Sequence, residues 1–335
     1  MMKNLLKVAT SMLLALSLPS MVTAAPAELK DRYVFTAMEP GSSILVLTTT
    51  VTGLAEKYLP KGVKVDINPS GGTVASCTMV DSGRADFGWG EASALWAYEG
   101  KILFKKPHTK LRAVAGGMQS AYAQAWMTAA FADKYGIKTF EDIKVKKPPM
   151  RLLTKKPGTT GHAVAALQLE AYGVTYSDIK AWGGNIVETG LSEIVDALRD
   201  NRGDVWLDNY PSGQSSAVEL TQTADVRMLQ HTESGLDHMT KYGFTKSRVP
   251  AGTWKGQTEE TMQPGVMTLL TTSSDVSPEI VYLVVKALSE NADTVRKSFA
   301  GAALFDEKLA GTPERTIIPL HPGAEKYYRE VGYIK

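Results

Sequence analysis

Apolar and polar positions change period again and again along this chain. Residues 32–38, "RYVFTAM", alternate and predict a strand. Residues 42–59, "SSILVLTTTVTGLAEKYL", keep Leu47, Val51, Leu54, Ala55 and Tyr58 on one helical face, although the threonines weaken the helix. "GVKVDINPS" predicts a second strand, "VASCTMVDSG" a helix, "ADFGWG" a third strand and "EASALWAYEG" a helix. "LRAVAGGMQSAYAQAWMTA" is apolar and extended without capping residues, which suits a segment passing between two domains. "KYGIKTFEDI" predicts a short helical region, and "MRLLT" opens a second series. In it, "KPGTTGHAVAALQLEAYGV" is turn then helix, "IKAWGGN" strand then turn, "VETGLSEIVDALRDNRG" helix and "DVWLDNYPSG" strand then turn. "SAVELTQT" predicts a helix and "VRMLQH" a strand. From Pro264 the chain reads as a returning strand and a long helix.

Alternation of this kind predicts an α/β fold with parallel strands and helices on both faces. The plan is two α/β lobes of like design joined by a hinge, with a ligand cleft between them. Lobe one is expected over 25–121 and 265–335, lobe two over 122–264, and the hinge near 119–124 and 264–268.

The first residues change the reading of location. Lys3 and Lys7 precede an apolar core over Leu13–Leu18, and Val22-Thr23-Ala24 fits a small-x-small cleavage site. A signal peptide over 1–24, cut after Ala24, is expected, and with it a periplasmic protein. The apolar stretch is shorter than the ~20 residues that span a bilayer. One cysteine, Cys77, allows no disulfide within the chain and is expected to be buried. Stability must therefore come from cores, which about 310 mature residues can supply as two domains. The formal net charge of +2 gives no footprint for nucleic acid. A monomer is expected.

In open α/β sheets, ligands bind beyond the carboxyl ends of the strands, where helices begin with unpaired backbone N–H groups. Glycine lets an anion approach there, and Ser or Thr caps the helix and adds a donor. Such turns occur at Gly41-Ser42-Ser43, Gly71-Gly72-Thr73 and Gly158-Thr159-Thr160. Asn185, after "AWGG", and Asp208-Asn209-Tyr210, after the strand "DVWL", stand at comparable places, as do Trp89 and Glu91 after the third strand. Trp89, Trp182, Trp206 and Tyr210 are candidate aromatic walls, with the core as the alternative for each. No G-x-S-x-G elbow, phosphate loop or H-E-x-x-H is present, so no catalytic residue, metal or cofactor is expected. "HTESGLDH", His231 to His238, has no known metal spacing and reads as a solvated loop or helix face.

The order of segments resembles the TAXI family, the solute-binding receptors of tripartite ATP-independent periplasmic (TRAP) transporters. The matching words are "GSS", "PSGGTVAS", "SGRADFGWGEASALWAYEG", "KPGTTGHAVAALQLEAYGV", "RVPAGTWKGQ" and "PLHPGAEKYYREVG". The resemblance implies a type II periplasmic-binding-protein fold, a small solute such as glutamate, 2-oxoglutarate or a similar carboxylate, and a membrane permease as partner. A sensor presenting its closed form to a membrane kinase, or an exported enzyme on the same fold, are the rival readings. Two departures from the family's pattern bear on the solute. Glu91 stands where the family carries Gln, and Ser93 where it carries Asp. Carboxylates at Glu91 and Asp208 disfavour a dianionic ligand and favour a neutral or amino-bearing one, because like charges in one closed site repel.

Overall fold

The computed structural model describes residues 29–38, 42–70 and 72–335. The expected signal peptide, and Gly41 and Gly71 of the Gly-rich turns, lie outside the described residues.

Strands β1 (Arg32–Ala37), β2 (Lys64–Pro69) and β3 (Phe87–Gly90) alternate with helices Ser43–Ala55, Thr73–Asp81 and Ala92–Glu99. Strand β4 (Leu111–Thr128) then runs for 18 residues, almost all of them buried. Its unbroken apolar pattern follows from burial on both faces. Strands β5 (Arg151–Lys155), β6 (Asn185–Thr189) and β7 (Val205–Pro211) form the second series, with β8 (Val226–Met228) and β9 (Thr245–Val249) beyond it. Strand β10 (Thr261–Ser273) returns beside β4. Among the described residues ten strands form one sheet in the order β2-β1-β3-β10-β4-β7-β5-β6, with β8 added to β4 and β9 to β10. Pairing is parallel among β1 to β3 and among β5 to β7. β4 and β10 run antiparallel and are the two strands that pass from the first series to the second. This is the mixed α/β architecture that the alternation predicts.

The β4–β10 ladder slips where the two series join. Thr268 lies opposite Gln119 and Leu270 opposite Ala115, so β4 spends extra residues on a bulge containing Gly116-Gly117. Gly117 has φ +71°, which favours glycine. A Cβ on Gly116 would stand 2.1 Å from the carbonyl oxygen of Arg315, so this bulge admits no side chain.

The threonines of the first helix do not break it. The Thr48, Thr49, Thr50 and Thr52 hydroxyls donate to the carbonyls four residues earlier, which satisfies them within the helix. Leu47, Val51, Leu54 and Ala55 pack with Phe35, Phe87 and Trp89 in the core of the first series. Phe35 and Phe87 stack at 4.4 Å. Cys77 is buried as expected, and burial pushes its thiol up to about 12.

Two expectations need correction. "IKAWGGN" is not a strand: Tyr176–Ala181 is a helix opened by a capping box between Thr175 and Asp178, and β6 begins only at Asn185. His231 is not on a solvated face, although a helix does form over Glu233–Thr240. Its ring is buried and stacks on Phe140 at 4.3 Å. Its Nδ1 lies 3.1 Å from the Tyr172 hydroxyl and its Nε2 3.3 Å from Gln168 Oε1. The Tyr172 hydroxyl accepts from Thr232 N–H and so donates to Nδ1, which leaves the proton of a neutral ring on Nε2. Burial pulls His231 down to about 3.

Candidate functional site

The carboxyl ends of β3 and β7 come together from the two series. Glu91 directly follows β3 and precedes the helix Ala92–Glu99, and Asp208 and Asn209 belong to β7. The Asn209 amide donates from Nδ2 to Glu91 Oε2 at 2.9 Å, and the Thr268 hydroxyl on β10 donates to Glu91 Oε1 at 3.3 Å. Asp208 Oδ1 accepts from the Asn209 backbone N–H at 2.8 Å, and its Oδ2 is 3.5 Å from Lys155 Nζ. Asp208 is 0% exposed and Glu91 7%.

Burial raises both carboxyl pKa values above their ordinary range. At Glu91 the Asn209 bond, the Lys155 charge and the Thr268 bond pull the other way. At Asp208 the Lys155 charge does most to oppose burial. Asp208 lies against the first turn of the helix Thr160–Glu170, where a Cβ on Gly161 would stand 2.1 Å from its Oδ1. Glycine at that second helical position therefore makes room for the carboxylate beside the positive end of the helix.

Helix starts face one another across the same line. Thr73 and Thr160 each open a helix, and their hydroxyls are 2.8 Å apart. Gly72 caps the first of these helices with φ +123°, a conformation that needs glycine. Thr159 caps the second: its hydroxyl accepts from His162 N–H and donates to the Lys156 carbonyl. Gly158, at φ +85°, is exposed with open space where a Cβ would go. Thr159 and Gly158 thus shape the turn, while Thr160 reaches the other series.

A second pair of helix starts, Ser43–Ala55 and Ser215–Thr223, flanks a cavity of about 210 Å³. Ser42, Ser43, Gln214 and Ser215 line it together with Leu45, Pro211 and Phe299. Ser42 caps its helix by accepting from Leu45 N–H at 3.2 Å.

The remaining candidates lie elsewhere. Trp89 belongs to the core: its indole N–H donates to Thr36 O and Thr48 Oγ1, and the ring is 0% exposed. Tyr210 stacks on Trp206 at 5.0 Å and its hydroxyl accepts from Trp126 Nε1, so both rings are interior. Trp182 packs on the core of the second series. Asn185 opens β6 opposite Arg151, at the amino ends of the strands, away from the ends that carry Glu91 and Asp208. The sequence reading missed Lys155, Gly161, Thr268, Gln214, Ser215 and Phe299. Lys155 had a usable signal, since it ends a strand just before a Gly-rich turn. Thr268 and Phe299 had none, because the topology alone brings them here.

Residues 40–332 match the NMT1-like family. Among solved structures, MatC from Rhodopseudomonas palustris with bound malate aligns at a TM-score of 0.52 and 13% identity, over 90% of this chain and 97% of that one. A TctC solute-binding protein from Polaromonas, without ligand, aligns at 0.51 and 14%, over 90% of this chain and 98% of that one. At these identities the likeness is one of fold, that of periplasmic solute-binding proteins. Among the described residues no helix is long and apolar enough to cross a membrane.

Proposed function

The chain belongs to the NMT1-like family, and on that premise we propose that it is a periplasmic solute receptor of a TRAP-type transporter. Its two lobes, 25–121 with 265–335 and 122–264, close around a small organic carboxylate or amino acid and carry it to a membrane permease. The observation that carries this reading is the cavity of about 210 Å³ between helix starts of the two series. Backbone N–H groups at those starts and the hydroxyls of Ser42, Ser43 and Ser215 are neutral donors suited to a carboxylate. The volume lies below the range of roughly 300–1,000 Å³ usual for drug-sized ligands, which suits a metabolite of few heavy atoms. The Thr73–Thr160 and Glu91–Asn209 bridges act as latches of the closed form, and the β4–β10 bulge lies beside the proposed hinge at 119–124 and 264–268. Glu91, Asp208 and Lys155 are engaged with each other or with neutral donors rather than with a nucleophile, which favours binding over catalysis. The residues before Ala25 serve for export and are removed.

Mass spectrometry of the supernatant from freshly purified, denatured protein is expected to reveal one small acid or amino acid in near-stoichiometric amount. No released compound, together with no thermal stabilisation by a panel of organic acids and amino acids, would contradict the reading.

A further inference from the structure

Glu91 is a buried carboxylate whose direct partners, Asn209 and Thr268, are both neutral. The cation nearest to this cluster, Lys155, is engaged with Asp208 at 3.5 Å. Two carboxylates therefore share one lysine, which sits against Asp208 and reaches Glu91 through its charge but not by a direct contact. A second observation concerns Gln119. It lies directly opposite Thr268 in the β4–β10 ladder, so its side chain leaves the same face as the hydroxyl that bonds Glu91. Gln119 is 2% exposed, and its Oε1 has no hydrogen-bond partner. Asp208 Oδ2 has Lys155 Nζ as its neighbour, at 3.5 Å. The Glu91 side thus holds two carboxylates against one lysine and an unpartnered acceptor at Gln119, whereas the unpartnered donors Gln124 Nε2 and Trp206 Nε1 lie on the Asp208 side, Gln124 opposite Asp208 in the β4–β7 ladder. Asn209, which now supplies a neutral donor to Glu91, stands two residues before Pro211 on the cavity wall.

We infer that the solute carries a positively charged amine, bound by the Glu91 carboxylate with the Gln119 carbonyl as a second acceptor, while its acidic end lies toward the serine-lined cavity. This deepens the receptor reading and rests on it. An ammonium supplies a donor for Gln119 Oε1 and a second positive charge for the two carboxylates, and each bond it makes to a carboxylate is charge-assisted. A plain dicarboxylate would bring further negative charge to two buried carboxylates that already share one lysine.

The test uses matched pairs at pH 7: amino acids and the acids of the same skeleton without the amine, against the full mature chain and its Glu91→Gln variant. Thermal shift finds binders and titration calorimetry measures them. The expected result is that an amine-bearing member binds at least about tenfold more tightly than its deaminated partner, and that Glu91→Gln removes most of that preference. Glutamine keeps an acceptor for Asn209, so the fold should survive. Should it not, Gln119→Met, which removes the second acceptor at similar size, is expected to weaken the amine-bearing member several-fold. Equal or tighter binding of the deaminated acid, or a gain of affinity for it in Glu91→Gln, overturns the inference and leaves the receptor reading standing. No binding from either set counts against the receptor reading, and this inference falls with it.

Discussion

Gly161→Ala is expected to lower the unfolding free energy by about 2 kcal/mol and to weaken solute binding at least about tenfold. Helix propensity alone predicts the opposite sign, since alanine is favoured over glycine by ~1 kcal/mol inside a helix. The local geometry decides against it. The added Cβ would lie 2.1 Å from Asp208 Oδ1, 3.0 Å from its Cγ and 2.9 Å from Lys155 Cδ. The lysine stem can move aside, but Asp208 is short and fully buried. It can retreat only by giving up the Asn209 N–H, and with it some of its pairing with Lys155. Asn209 is also the residue that reaches Glu91, so the disturbance spreads to the bridge between the two series. Urea denaturation and calorimetry check both halves of this expectation. Stability within 0.5 kcal/mol of the wild type, a margin at which surface substitutions usually fall, would show that Asp208 is not held as described.

Acid should destabilise the protein by about 2–4 kcal/mol between pH 7 and pH 5. Burial holds His231 near 3 and His321 near 4, both below the ordinary value of 6.5. The folded state then binds fewer protons than the unfolded chain in this range. The stability these rings contribute is complete above the unfolded value and is lost as pH falls toward the folded ones. Glu91 and Asp208 work in the other direction. Their pKa values are raised, so their contribution is complete in acid and is lost as pH rises through those raised values. The gain of these carboxyls on acidification offsets part of the loss from the histidines. His231→Gln should flatten the acid side, since glutamine has no proton to gain there. Urea midpoints at pH 5, 6, 7 and 8 measure this. Equal stability at pH 7 and pH 5, or an unchanged slope in His231→Gln, would contradict it.

The period of the apolar positions was enough to read the alternation of strands and helices and the long crossing strand, because both are local or nearly so. The Gly-rich turns gave away the helix starts at Ser42, Thr73 and Thr160 for the same reason: a start needs a cap and room. Faces were less legible. β3 and β7 are buried on both sides, so the period of two that separates inside from outside has no contrast, and Trp89 and Tyr210 could be assigned to the core only once their hydrogen-bond partners were in view. Asn185 shows how an error in one element moves a site residue. With "IKAW" of Ile179–Trp182 taken as a strand, Asn185 falls after a carboxyl end, whereas the helix Tyr176–Ala181 occupies most of that stretch and Asn185 begins the next strand. Thr268 and Gln119 became partners of Glu91 and Thr268 through antiparallel pairing of segments about 150 residues apart, a juxtaposition that no window along the chain contains.

The central claim is that the two lobes close on a solute, and small-angle X-ray scattering of the mature chain tests it most directly. In the proposed account the bridges between Thr73 and Thr160 and between Glu91 and Asn209 latch the closed form. The measurement is the radius of gyration of the protein stripped of solute and of the same sample after the compound released on denaturation is returned. The account predicts a smaller radius with the compound, with a curve that fits the closed arrangement, and a larger radius without it. Identical curves in the two states, with binding confirmed by calorimetry in the same buffer, would contradict it.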